Sequence, residues 1–159
     1  MLKAKLLEQI AEQLKVDLKA AIEAAMASHE AATHEESKPE NQYDTRALEA
    51  SYLAGAQAKR AGELEEVLAI CARMNRANLS ANAPVQAGAL VNLDLNGQKK
   101  TVFLLPKGGG MTFKMDEQTV QIITPASPLG EAIVGLSEGD VAQVEVGGDS
   151  HDCAILSVQ

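Results

Sequence analysis

His34-Glu35-Glu36-Ser37-Lys38-Pro39-Glu40-Asn41-Gln42-Tyr43-Asp44 stands between two long helical patterns, and its reading decides the fold. Proline disfavours the α region for the residue before it, so Lys38-Pro39 ends a helix. Asn41 or Asp44 can then cap the next one by accepting backbone N–H bonds. The stretch, residues 34–44, therefore reads as the tip of a helical hairpin. Glu35, Glu36 and Glu40 place three carboxylates in that tip.

Before the tip, from Leu2 to about Thr33, the residues Leu7, Ala11, Leu14, Leu18, Ala21, Ala25 and Ala32 recur at spacings of three and four, with Ser28 as the one interruption. That is a heptad seam, and Glu8, Glu12, Lys15 and Lys19 fall on the outward faces. No Pro or Gly occurs between Met1 and Lys38, so the helix is expected to be unbroken. After the tip, Leu53, Leu64, Val67, Cys71 and Met74 continue a seam of the same period over a second helix from about Thr45 to Asn78. A short connection makes the two helices antiparallel neighbours that bury each other's stripe. Gly55 and Gly62 each cost about 1 kcal/mol inside a helix relative to Ala, and close approach of the two helices is the expected reason for them. Alanine-rich seams keep such a rod slender enough for a narrow space.

The grammar changes after residue 78. Residues 79–84 carry Asn, Ser, Ala and Pro without a period and read as a linker. Ala89 to Leu95 alternates into Asn96-Gly97, and Lys100 to Leu105 follows, which is a β-hairpin signature. Pro106 to Gly110 is a loop; Thr119 to Thr124, Val141 to Val146 and Cys153 to Val158 read as further strands. Ser127 to Gly135 reads as a short helix with Ser127 at the N-cap, Pro128 at its first position and Gly135 ending it. The expected fold is α+β: an antiparallel coiled-coil hairpin over 1–78, the linker 79–84, and a small domain over 85–159 with a mostly antiparallel sheet and one short helix.

Composition narrows the function. A net charge of −8 in 159 residues argues against non-specific duplex binding, which needs clustered Lys and Arg, and sequence-specific DNA binding is not expected either. Cys71 and Cys153 have no metal-ligand spacing and fit two free thiols in a reducing cytoplasm. No run is long and apolar enough to span a bilayer, so no membrane partner is expected. Gly108-Gly109-Gly110 lacks the Gly-Lys-Ser/Thr of a phosphate loop. His29, His34 and His151 are not spaced as metal ligands, and Ser127 lacks a nucleophile elbow. No self-sufficient active site and no resident cofactor are expected. The tip acids allow one chemistry beyond an ordinary solvated turn. Magnesium is commonly held by one or two carboxylates together with phosphate oxygens, so Glu36 and Glu40, with Glu35 as a further candidate, could complete a metal site supplied by a partner.

Two stretches carry a resemblance. Lys38-Pro39-Glu40-Asn41-Gln42-Tyr43, with Arg46, Glu49 and Gly55, resembles the acidic tip and second helix of the Gre-type bacterial transcription factors. Ile123-Thr124-Pro125-Ala126-Ser127-Pro128-Leu129-Gly130-Glu131-Ala132-Ile133-Val134-Gly135, followed by Glu138-Gly139-Asp140-Val141 and Gly147-Gly148, is similar to the family's Ser-Pro helix and closing strands. The resemblance implies a coiled-coil finger that enters the secondary channel of bacterial RNA polymerase, and an FKBP-like domain that docks at the channel rim through Ser127 and Pro128. It also implies that tip acids promote cleavage of backtracked RNA at its 3′ end, with magnesium in the polymerase's own site. The family tip has Asp, then Glu three residues later, then Asn. Aligned on Asn41, Glu40 takes the Glu place; aligned on Tyr43, Glu36 takes the Asp place and Pro39 the Glu place. A non-cleaving regulator of the channel is the alternative expectation. A coiled-coil adaptor and a prolyl isomerase rank lower, the latter because only Phe103 and Phe113 are aromatic in the second half.

Overall fold

The computed structural model describes residues 2–34, 38–42 and 45–159. Its elements are α1 (Leu2–Thr33), α2 (Arg46–Arg73), β1 (Leu90–Leu95), β2 (Gln98–Leu104), β3 (Thr112–Met115), β4 (Gln118–Ile123), α3 (Pro128–Ile133), β5 (Val141–Val146) and β6 (Asp149–Val158). Their contacts form two compact units, Ala11–Ala69 and the combination of Met1–Ile10 with Ile70–Gln159. Among the described residues no helix is long and apolar enough to cross a membrane.

In the helical unit the seam is narrow. Leu14, Ala21, Ala61, Leu64 and Val67 are buried, and so is Ser28, which interrupts the apolar pattern without leaving the interface. α1 closes at Thr33, whose hydroxyl donates to the carbonyl oxygens of His29 at 3.0 Å and Glu30 at 3.4 Å. The last residue of α1 lies ahead of the expected Lys38-Pro39 stop. α2 begins after Thr45, whose carbonyl accepts from Glu49 N at 2.9 Å while its hydroxyl donates to the Glu49 carboxylate, also at 2.9 Å. Thr45 therefore holds the capping position expected of Asn41 or Asp44, and Asp44 lies outside the described residues.

Two seam assignments on α2 are corrected. Leu53 is 52% exposed, because the inward positions of that turn go to the small, half-buried Ala50 and Ala54. Gly55 and Gly62 do not mark a close approach: a Cβ built on either meets no atom within 4 Å. α2 also stops at Arg73 rather than Asn78. The cause is local, since the Asn75 side chain accepts from Ala77 N at 3.0 Å and so offers the backbone a turn in place of another helical one.

The second unit is built on a single six-stranded sheet of order β3-β4-β2-β1-β6-β5. Asn96 and Gly97 both have positive φ, 53° and 85°, which gives the β1–β2 turn the twist of its strands, and Asp94 Oδ1 accepts from Gly97 N at 2.7 Å. β2 pairs with β4 in parallel; the other pairings are antiparallel. β3 was not expected, being four residues long, and β6 begins at Asp149, four residues before the expected Cys153. One face of the sheet makes the core, in which Val91, Leu93, Val102, Leu104, Val144 and Ile155 pack with Ile133 of α3. Leu6, Leu7, Ile10 and Cys71, from the helix ends that belong to this unit, are also buried.

Candidate functional site

The residues expected to meet a partner lie in different units, and each location has its own geometry. At the tip, Glu40 holds an exposed carboxylate, with Oε1 3.7 Å from Nη2 of Arg46 and side-chain exposures of 80% and 58%. This exposed pair holds the Glu40 carboxylate by roughly 0 to 1 kcal/mol. Its oxygens are hard donors of the kind magnesium takes. Glu35 and Glu36 lie outside the described residues, as does Tyr43. Among the described residues no three His, Cys, Asp or Glu side chains come together as a metal site. Arg46 is the tip residue whose role the sequence left open: it is placed beside Glu40 by being the first residue of α2.

The Ser127-Pro128 corner is built by three interlocking contacts. Ser127 is extended, with φ −71° and ψ 155°, and its Oγ accepts from Gly130 N at 3.1 Å. The same hydroxyl donates to Thr124 O at 2.7 Å, and Ser127 N reaches that carbonyl at 3.0 Å. Thr124 O lies so close to Gly130 that an added Cβ would sit 1.9 Å from it. Glycine is thus the residue that lets the first turn of α3 close on the preceding corner. The serine hydroxyl is occupied by the fold, while Pro128 and Ala126 are exposed. Ser127 therefore shapes this edge and Pro128 presents it. Gly109 belongs to the same neighbourhood, since its Cβ would stand 3.2 Å from Thr124 Cγ2.

Other sequence candidates separate from these two places. His29 and His34 are exposed on or beside α1, and His151 is half-buried on β6. Cys71 and Cys153 are buried free thiols, and burial pushes both up from their ordinary pKa, with Asp94 adding to the effect at Cys153. Thiolates are the reactive form, so neither is suited to nucleophilic chemistry. Phe103 is completely buried and cannot line an accessible aromatic pocket.

The family profile "Transcription elongation factor, GreA/GreB, C-term" matches residues 80–159, the stretch that contains the Ser127-Pro128 corner. Over 157 residues, covering 98% of this chain and 92% of the relative, the chain is 26% identical to transcription elongation factor GreA of Neisseria meningitidis serogroup B. The serogroup A protein matches with the same identity and coverage. Among solved structures, GreA factor homolog 1 of Thermus thermophilus aligns at 18% identity and a TM-score of 0.40, covering 94% of each chain. A GreA/GreB factor from Nitrosomonas europaea aligns at 20% identity and a TM-score of 0.36, covering 60% of this chain and 78% of its own.

Proposed function

Because the chain belongs to the GreA/GreB family of transcription elongation factors, we propose that it acts on bacterial RNA polymerase, entering the secondary channel with its helical hairpin and docking at the channel rim through the Pro128 edge. The observation that carries this reading is the family match over residues 80–159, which includes the Ser-Pro corner. The hairpin supports it. α1 alone has 32 residues, about 48 Å at 1.5 Å per residue, and its seam is rich in alanine, so a long element stays narrow.

At the end of that element Glu40, together with Glu36, would hold a magnesium ion beside the polymerase's own, and the ion would stabilise an attacking water and the phosphate oxygens of backtracked RNA. The chain's own part is to place carboxylates. In taking up the metal, Glu40 gives up its pairing with Arg46, which for an exposed pair is worth about 1 kcal/mol or less. The bond-breaking chemistry belongs to the polymerase, and this protein is its accessory rather than an enzyme. The site of action is the cytoplasm.

A second reading, occupancy of the channel without cleavage, is favoured by Pro39 beside Glu40 and by the charge neutralisation from Arg46. One assay separates the two. Stalled, backtracked complexes are titrated with magnesium, and RNA length is followed with wild-type protein and with Glu36→Gln plus Glu40→Gln. Shortening that collapses in the double variant, at unchanged polymerase affinity, supports metal placement. Stimulation that persists in the double variant refutes it, and a wild type that leaves RNA length unchanged while competing with a cleavage factor establishes occupancy.

A further inference from the structure

Lys3 is 1% exposed, a rare position for a lysine, whose charged end is almost never fully buried without a partner. Its Nζ donates to Ala77 O at 2.9 Å, across 74 residues of sequence. Burial holds its ammonium below the usual lysine range. The acceptor lies in the segment that leaves α2, just beyond the Asn75 turn that ends the helix. A second segment meets the same group. Gly88, at φ 87°, would place a Cβ 4.0 Å from Lys3 Nζ and 3.3 Å from Met74 Cε. Gly88 is in turn tied to the sheet through its N–H, which donates to Leu104 O at 2.8 Å.

The geometry points to Lys3 as a positioning residue: its ammonium fastens the segment leaving α2, around Ala77, to the first turn of α1, next to the Gly88 turn that enters the sheet. This rests on the proposed action on polymerase, because its value lies in joining an element that must reach a distant site to a domain that docks elsewhere. α1 runs from Leu2 to Thr33, and its first turn belongs to the sheet-containing unit. Residues 74–88 hold little regular structure, and a loose connection there lowers the effective concentration at which a docked domain delivers a tethered element. A plain apolar filler at position 3 serves packing equally well and often costs nothing relative to a buried charge. The hydrogen bond is what lysine adds. It selects one conformation of the connecting segment.

The test uses full-length protein as wild type, Lys3→Met, which keeps the side-chain length without the donor, and Lys3→Gln, which restores a neutral N–H donor. In the free protein, amide exchange over 75–88 is expected to speed up at least tenfold in Lys3→Met and to return toward wild type in Lys3→Gln, with exchange in β1, β2 and β6 unchanged. With polymerase core, the half-saturating concentration of Lys3→Met is expected to rise at least threefold while the plateau effect stays at the wild-type level. Exchange over 75–88 unchanged in Lys3→Met overturns the proposal, as does a half-saturation equal to wild type. If Lys3→Met does not fold, the wild type decides: an Ala77 amide protected less than tenfold, beside a protected 6–10, also overturns it. A wild type that fails to bind polymerase refutes the proposed function, and the exchange results still judge the clamp.

Discussion

Gly130→Ala puts a methyl carbon 1.9 Å from the carbonyl oxygen of Thr124, 2.9 Å from its carbonyl carbon and 2.9 Å from Ser127 Oγ. The first two neighbours are backbone, so no side-chain rotation relieves the clash, and the corner or the helix must move by more than an ångström. That movement separates Gly130 N from Ser127 Oγ, now 3.1 Å apart, and removes the cap. Overpacking of this kind costs about 1–3 kcal/mol and loss of a serine cap about 1 kcal/mol, which gives roughly 2–4 kcal/mol. A small domain has on the order of 5–15 kcal/mol in all, so the variant should fold but melt on the order of 10 °C or more lower. The assay is thermal and denaturant unfolding, followed through the strand signal to isolate the sheet-containing unit. Ser127→Ala, which removes the cap without the clash, should lose only about 1 kcal/mol. A Gly130→Ala protein that melts within about 2 °C of wild type would show that the corner is not built as described.

The helical unit supplies a test of opposite sign. Gly55→Ala and Gly62→Ala introduce methyl groups where nothing lies within 4 Å, and each should stabilise the hairpin by up to about 1 kcal/mol in denaturant unfolding followed by helix signal; a loss of stability would restore the close-approach explanation. Leu14→Asp or Leu64→Asp buries an unpaired charge at positions 2% and 3% exposed, and either should melt the hairpin early while the sheet signal survives; unchanged helix content at elevated temperature would contradict the seam. Lys3 gives a pH signature. Its pKa is lowered on folding from an ordinary 10.5, so between the folded value and 10.5 the unfolded chain binds more protons and stability rises with pH. The denaturant midpoint of wild type minus that of Lys3→Met should therefore climb as pH approaches 10.5, and parallel curves would deny Lys3 its burial.

Much of the fold was legible because its signals are local. Ser127-Pro128 and Gly135 marked α3 through capping chemistry, and Asn96-Gly97 marked the β-hairpin through the positive φ that its turn requires. What escaped depends on pairing and packing that no single segment displays. β3 acquires its identity from pairing with β4, and the parallel β2–β4 pairing has no signature in either strand. Leu53 satisfies the heptad spacing but faces outward, since Ala50 and Ala54 already fill the narrow seam beside it, and periodicity does not rank a leucine against an alanine. Lys3 was invisible for the same reason. A lysine two residues from the start of a chain looks like solvated charge until Ala77 arrives beside it. At the candidate sites the sequence named Glu40, Ser127 and Pro128, but not that the Ser127 hydroxyl is consumed by Thr124 and Gly130, nor that Arg46 faces Glu40.

The central claim is action on bacterial RNA polymerase, and its most direct measurement is equilibrium binding of the full-length protein to core polymerase from its own host at moderate salt. Wild type is compared with Ala126→Glu plus Pro128→Glu, a pair chosen because both positions are exposed and glutamate suits the start of a helix. The account predicts saturable wild-type binding, weakened at least tenfold in the double variant, whose unfolding midpoint stays near that of wild type. Absence of saturable binding by the wild type would contradict the account at its root, and equal binding by the two proteins would remove the Pro128 edge from it.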